Sequence, residues 1–316
     1  MSMIGACVGD AAGAFLEHMS RRPSLEEVEK ALTFPGGGRV RVGPGQVTDD
    51  GELTLVLWSA LRDKKPIDGP PIYEILCAYA KWWSSEPFDM GMTCSGAFEL
   101  AQELVEGKGD IDTYLSAVMD SNSESEANGA LMRCTPLAAW CFSDASVPPS
   151  MVALMGRVDA QLSHPNVVCQ ECNSLYLYAC VLLLRGESAT ETYKKTGEFA
   201  MATCTSQKVL KWFFSDSQDI TSLKCTDNIG HVRWGFALAF YFLQNPEITF
   251  EQAIRETLLK GGDTDTNAAI VGGLVGCYQS VPEDWKTTVL AFRADGSMKG
   301  HVRPAWVWPQ TYLRDL

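Results

Sequence analysis

The chain has 316 residues, 46% hydrophobic and 21% charged, which is the composition of a soluble globular protein with enough apolar material for a large core. A net charge of −13, from 26 basic and 39 acidic residues with no basic run, argues against a nucleic-acid backbone binder. Eleven cysteines at no repeated spacing point to reduced thiols and a cytoplasmic, intracellular protein.

Met1 to Leu16 is largely apolar, but it lacks a basic leader and carries Asp10, which argues against a signal peptide. No uncharged stretch reaches bilayer length; Leu175 to Leu184 is the most apolar and is too short, so no membrane association is expected. Residues 3–19 read as a helix with Gly5, Gly9 and Gly13 on one smooth face. Each glycine costs roughly 1 kcal/mol of helix propensity, so that face implies close approach by another helix. Glu17 ends the segment. A short helical piece, Leu25 to Leu32, leads into a glycine- and proline-rich loop running to Gly45, with a short β piece near 39–42. Thr48-Asp49-Asp50-Gly51-Glu52 then opens a helix through Leu53, Leu57 and Leu61. Helical periodicity recurs over 72–83, 95–106, 111–119, 130–142, 150–161 and 166–185, then over 189–202, 207–214, 232–244, 249–260 and 265–278. The tail, with Pro304, Trp306, Trp308, Pro309 and Tyr312, reads as an irregular apolar strap. The pattern predicts an all-α protein, a single domain over 1–316 with a dozen or more helices.

The chemistry concentrates at helix starts. Gly261-Gly262-Asp263-Thr264-Asp265-Thr266-Asn267 places two carboxylates and two hydroxyls in four consecutive residues. Capping uses one or two such side chains; the excess of hard oxygen donors suits magnesium or a similar ion. Thr48-Asp49-Asp50 repeats the design about two hundred residues upstream. If both clusters face one cavity, their four aspartates would balance two divalent cations, and without cations they would repel. Asn128-Gly129 is a turn signal ahead of the predicted helix 130–142, a place where backbone N–H groups receive phosphate. Phe88-Asp89-Met90-Gly91 sets an acid and a glycine before another helix, and His164 precedes the helix at 166. Cys169-Gln170-Glu171-Cys172 has redox spacing but a helical setting, which disfavours a redox or zinc role. The aromatic set Trp234, Phe236, Phe240 and Tyr241 reads as core.

Together these pieces resemble the ADP-ribosylglycohydrolase family, which includes the dinitrogenase reductase-activating glycohydrolase. The resemblance runs in order from Gly9-Asp10-Ala11-Ala12-Gly13 and Glu17, through Thr48-Asp49-Asp50 and Phe88-Asp89-Met90-Gly91, to Asn128-Gly129-Ala130-Leu131-Met132-Arg133, His164 and Gly262-Asp263-Thr264-Asp265-Thr266. It implies a compact orthogonal helical bundle and a hydrolase that removes ADP-ribose from modified side chains. It also implies metal ligation by Thr48, Asp49, Asp50, Asp263, Asp265 and Thr266, holding two Mg²⁺, with Mn²⁺ as an alternative. Substrate contacts would come from Gly91, Asn128, Gly129, Ala130, Met132, Arg133 and His164. Asp50, Glu17 and Asp89 are the candidates for the assisting carboxylate, and the sequence does not choose among them.

Asp89 favours arginine-linked ADP-ribose, while Glu17 keeps serine-linked, polymeric and O-acetyl substrates open. The expected partner is an ADP-ribosylated protein or an ADP-ribose-containing small molecule, and the expected state a monomer. One departure stands out, because the family usually reads Thr-Asp-Asp-Thr and this chain has Gly51 in the fourth place. Two other classes compete. An isoprenoid synthase would need a second acid-rich motif of longer spacing than Asp263-Thr264-Asp265-Thr266. A non-catalytic ADP-ribose binder would show lost ligands, and none is lost.

Overall fold

The first helix, α1 (Ser2–Gly13), is buried along its whole length, which its small and apolar residues permit. The computed structural model describes residues 2–314. After α1 come α2 (Leu25–Ala31), α3 (Asp49–Leu61), α4 (Ile72–Trp83), α5 (Met92–Val105), α6 (Ile111–Asn122), α7 (Thr135–Cys141) and α8 (Pro149–Gln161). The second half holds α9 (Val167–Leu184), α10 (Ala189–Thr203), α11 (Gln207–Phe214), α12 (Arg233–Gln244), α13 (Phe250–Leu258), α14 (Thr264–Val275), α15 (Glu283–Ala291) and α16 (Pro309–Leu313). The fold is all-α. Among the described residues, β structure is confined to two isolated antiparallel bridges, Gly37 with Val42 and Ala127 with His231.

At the centre α1 lies directly on α14. A Cβ built on Gly5 would sit 2.2 Å from the Gly272 carbonyl oxygen, one on Gly9 2.0 Å from that of Ala268, and one on Gly13 2.4 Å from the Asp265 Cα. The two backbones therefore touch with no side chain between them, which accounts for glycine at four-residue spacing. Thr264 Oγ1 donates to the Gly13 carbonyl at 2.9 Å and fixes the register where both helices reach the site. Local signals set several other helix starts. Ser24 with Glu27 and Thr249 with Gln252 form capping boxes for α2 and α13.

Four expectations change in detail. The first helix stops at Gly13 rather than near 19, and a tight turn in which Leu16 N–H donates to the Gly13 carbonyl carries the chain to Glu17. The helix expected over 130–142 begins only at Thr135. The Asn128 carbonyl takes the N–H groups of Leu131 and Met132 into a turn, and Pro136 stands in the first helical turn. The β piece near 39–42 reduces to the bridge at Val42. The region after 278, read without a helix, contains α15, and the strap ends in α16. Among the described residues one helix, α9, is long and apolar enough to cross a membrane; most of it, including Glu171 and Asn173, is buried in the protein.

Candidate active site

The packing of α1 on α14 brings three helix ends to one place. Asp10 comes from the last turn of α1, Asp49 and Asp50 from the first turn of α3, and Asp265 and Thr266 from the first turn of α14. Carboxylate oxygens of Asp10, Asp50 and Asp265 lie within 4.8 Å of one another, as do those of Glu17, Asp89 and Asp265. Asp265 belongs to both groups. Asp263 stands just ahead of α14, after Gly262 at φ +78°, where a Cβ would meet the Cys225 carbonyl oxygen at 2.0 Å. Only glycine satisfies both the conformation and the space.

Asp10 is fully buried and saturated with donors. Its oxygens accept from Thr48 N–H at 2.9 and 3.1 Å, from Thr48 Oγ1 at 2.8 Å and from Gly51 N–H at 2.8 Å. The Thr48 hydroxyl proton thus points at Asp10, leaving the oxygen lone pairs for a cation. Asp50 Oδ2 receives the hydroxyl of Thr266 at 3.3 Å and stands 3.2 Å from Thr48 Oγ1, while its buried Oδ1 has no partner. The outer carboxylates are held from the rim. Gly91 N–H reaches Asp49 Oδ2 at 3.4 Å, and Asn128 Nδ2 donates to Asp263 Oδ2 at 2.7 Å.

Burial dominates the electrostatics. It pushes Asp10 up to about 7 against its three donors. Asp49, Asp50 and Asp265 are driven well above the usual carboxylate range by burial and then by neighbouring carboxylates. Glu17 rises to about 9 through burial, with Asp89 and Asp263 adding to it. Asp89 is raised for the same first reason. Such a cluster is costly without counter-charge. The orphaned Asp50 Oδ1, the proton-directed Thr48 and an all-oxygen donor set fit hard divalent cations.

Above this floor opens a cavity of about 390 Å³. Its lining includes Glu17, His18, Asp89, Gly91, Asn128, Gly129, Met132, His164 and Gly230, with the 92% exposed Met92 and with Ile229. His18, in the left-handed region at φ +61°, contacts Glu17 Oε1 through Nε2 at 2.8 Å, while Glu17 Oε2 is buried without a partner. Gly129 is required by space, since a Cβ there would meet Cys94 Sγ at 2.8 Å and the His164 ring at 2.9 Å. Ser163 Oγ accepts from Arg133 and bonds His164 Nδ1 at 2.8 Å, an arrangement that favours the imidazole proton on Nε2. Burial and the Arg133 charge hold His164 down to about 3, so it is neutral.

The ADP-ribosylglycohydrolase family model matches residues 1–301. The chain belongs to the ADP-ribosylglycohydrolase family. It is similar to the ADP-ribosyl-[dinitrogen reductase] glycohydrolase of Rhodospirillum rubrum, 28% identical over 295 residues that cover 90% of this chain and 87% of that one. It is also similar to the ADP-ribosylhydrolase ARH3 of Mus musculus, 27% identical over 92% of this chain and 86% of the relative. A solved structure described as an ADP-ribosylglycohydrolase-related protein complex superposes with a TM-score of 0.71 at 22% identity, covering 91% of this chain and 90% of that one.

The structure of this family member sorts the residues singled out in the sequence. Glu17, Asp49, Asp89, Gly91, Asn128, Gly129, Met132, His164, Asp263, Asp265 and Thr266 line the cavity; Thr48 and Asp50 lie in the floor beneath it. Ala130 and Arg133 do not reach it. Arg133 is fully buried, with its guanidinium on the carbonyls of Gly129 and Asp159, the hydroxyls of Tyr79 and Ser163, and the Asp159 carboxylate at 3.3 Å. It fixes the shape of the 128–133 turn, and that turn, not a helix start, faces the cavity. Asp10 and His18 are functional-site residues that sequence pattern alone does not single out. Asp10 had one visible signal, a charge inside an otherwise apolar helix; His18 had none.

Proposed function

We propose that the chain, folded as one domain, is a divalent-metal-dependent ADP-ribosylhydrolase that cleaves the C1″ glycosidic bond between ADP-ribose and an arginine side chain. The observation that carries this reading is Asp265 shared between two carboxylate groups at the floor of one cavity. Thr48, Asp49, Asp50, Asp263, Asp265 and Thr266 would hold two Mg²⁺, or Mn²⁺. Such cations would supply Lewis acidity for the ribose hydroxyls and for a water nucleophile.

Hydrolysis joins a water oxygen to C1″ while the C1″–N bond breaks, and its electron pair stays with the guanidine nitrogen, which gains a proton. Positive charge develops on the ribose ring in the transition state, so the carboxylates at the cavity wall stabilise it. Of the three candidates for the assisting group, Glu17 and Asp89 line the cavity, whereas Asp50 does not reach it. Glu17 Oε2 is free to take or give the proton. The 128–132 turn and the neutral His164 Nε2–H offer donors to the pyrophosphate without adding charge. Ionised, Glu17 and Asp89 would pair with a cationic guanidinium, which supports the arginine linkage.

The test is a panel of arginine-, serine- and O-acetyl-linked ADP-ribose with Mg²⁺ and with Mn²⁺, followed by ADP-ribose release. Cleavage of the serine linkage alone overturns the arginine assignment. Calorimetric binding of ADP-ribose with no turnover on any substrate would make the chain a binder.

A further inference from the structure

Asp89 sits on residues 84–91, a segment between α4 and α5 without regular structure and with Glu86 in the left-handed region at φ +51°. What holds this segment comes from the other end of the chain. Arg303, 5% exposed, donates from Nη1 to the Ser85 carbonyl at 2.8 Å and from Nη2 to Ser85 Oγ at 2.9 Å. The same guanidinium forms a bidentate pair with the buried Glu52, at 2.8 Å to each oxygen, and Trp82 Nε1 donates to that carboxylate at 2.7 Å. Glu52 therefore turns away from the cavity and ties the first turn of α3 to residue 303. Two residues earlier, the His301 ring lies flat on Phe88, with centroids 4.0 Å apart and an interplanar angle of 5°. His301 Nε2 donates to the Val40 carbonyl at 2.6 Å, and the Gln46 side chain accepts from His301 N–H and donates to its carbonyl, both at 2.9 Å.

We infer that His301 and Arg303 are positioning residues of the active site: together they brace residues 84–91, and with them Asp89, against the start of α3. Arg303 lies beyond the residues matched by the family model. Ser85 is gripped three residues before Phe88, Phe88 is covered by the imidazole, and Gly91 closes the segment on Asp49. Asp89 is thus held between two fixed points. A shift of about 1 Å at such a group costs on the order of 100-fold in rate where it acts on the reacting atoms. The inference rests on the hydrolase reading for its kinetic consequence, and on geometry alone for the brace.

The experiment compares His301→Ala, His301→Phe and Arg303→Lys in the full-length protein. It measures amide hydrogen exchange of residues 84–91, Mg²⁺ affinity by calorimetry, and kcat and KM for ADP-ribosyl-arginine. His301→Ala is expected to speed exchange at 84–91 about tenfold more than elsewhere and to lower kcat about tenfold with KM and Mg²⁺ affinity within about twofold. His301→Phe keeps the stacked ring and restores most of kcat. Arg303→Lys loses the bidentate fork and weakens Mg²⁺ binding as well, because it acts on both segments. Unchanged exchange at 84–91 in His301→Ala, or equal losses in His301→Ala and His301→Phe, overturns the inference. If the wild type releases no ADP-ribose, the hydrolase reading fails while the exchange result still decides the brace.

Discussion

The floor and the rim of the cavity are built in opposite ways. The floor hangs on helix ends whose backbones touch: Asp10 and Asp265 are where they are because Gly9 and Gly13 leave no room between α1 and α14. The rim carboxylates, Glu17 and Asp89, lie on non-helical segments held by side chains, His18 on one and His301 and Arg303 around the other. Backbone contact gives a fixed separation that suits ions with strict geometry. Side-chain bracing holds the groups that meet a substrate through contacts that a single substitution can remove.

Experiments that damage one region alone test this contrast. The largest effect is expected from Asp265→Ala, which belongs to both carboxylate groups: a loss on the order of 10³-fold in ADP-ribose release, read with and without chelator. If Asp263→Ala combined with Asp265→Ala releases ADP-ribose at the native rate in chelator, the metal-dependent reading is wrong. Next comes Gly9→Ala, whose Cβ would press on the Ala268 carbonyl oxygen and destabilise by about 3 kcal/mol in urea unfolding.

Asp10→Asn keeps the shape but loses an acceptor facing Thr48 and Gly51, and Mg²⁺ affinity measured by calorimetry falls about 10–100-fold. Gly51→Thr restores the family's usual residue, yet its Cβ would stand 2.6 Å from Val47 Cβ and 2.7 Å from Asp10 Oδ2, so Mg²⁺ affinity falls about tenfold instead of rising. An unchanged affinity would mean that Val47 yields and that Gly51 carries no cost.

A further test is the pH dependence of stability in the metal-free protein. Asp10, raised to about 7, and Glu17, raised to about 9, bind protons more tightly folded than unfolded. Their stabilising contribution is complete below about pH 4, near the unfolded values, and is lost as pH rises through 7 and then 9. Melting with chelator should therefore fall from pH 5 to pH 9, and the gain in melting temperature on adding Mg²⁺ should grow over the same range. A gain that shrinks with pH would contradict a cation held beside these carboxylates.

Much of the floor was legible in the sequence, since repeated Thr/Asp clusters at helix starts and glycines at four-residue spacing are local patterns with one physical reading each. Asp10 was visible only as an anomaly, because its partners Thr48 and Gly51 are about forty residues away in sequence. Arg133 resembled a ligand contact by its place in the motif, and only the three-dimensional ring of acceptors shows that it is spent internally. The helix boundary at 135 was lost to side-chain periodicity, which does not report the turn closed by the Asn128 carbonyl. His18 and Arg303 were invisible for another reason: one acts through a left-handed backbone, the other through Glu52, 251 residues away.

The contact of α1 with α14 also has a consequence for how the molecule is made. Gly13 and Thr264 are 251 positions apart, so the first helix leaves the ribosome without the surface it is shaped to meet. At cellular elongation rates the wait is on the order of 10–50 s. Throughout it, an apolar helix buried over its whole length in the finished protein stays uncovered or makes provisional contacts. Such long-range closure slows folding and exposes the nascent chain to aggregation. The backbone contact that sets the floor of the site is thereby among the last to form.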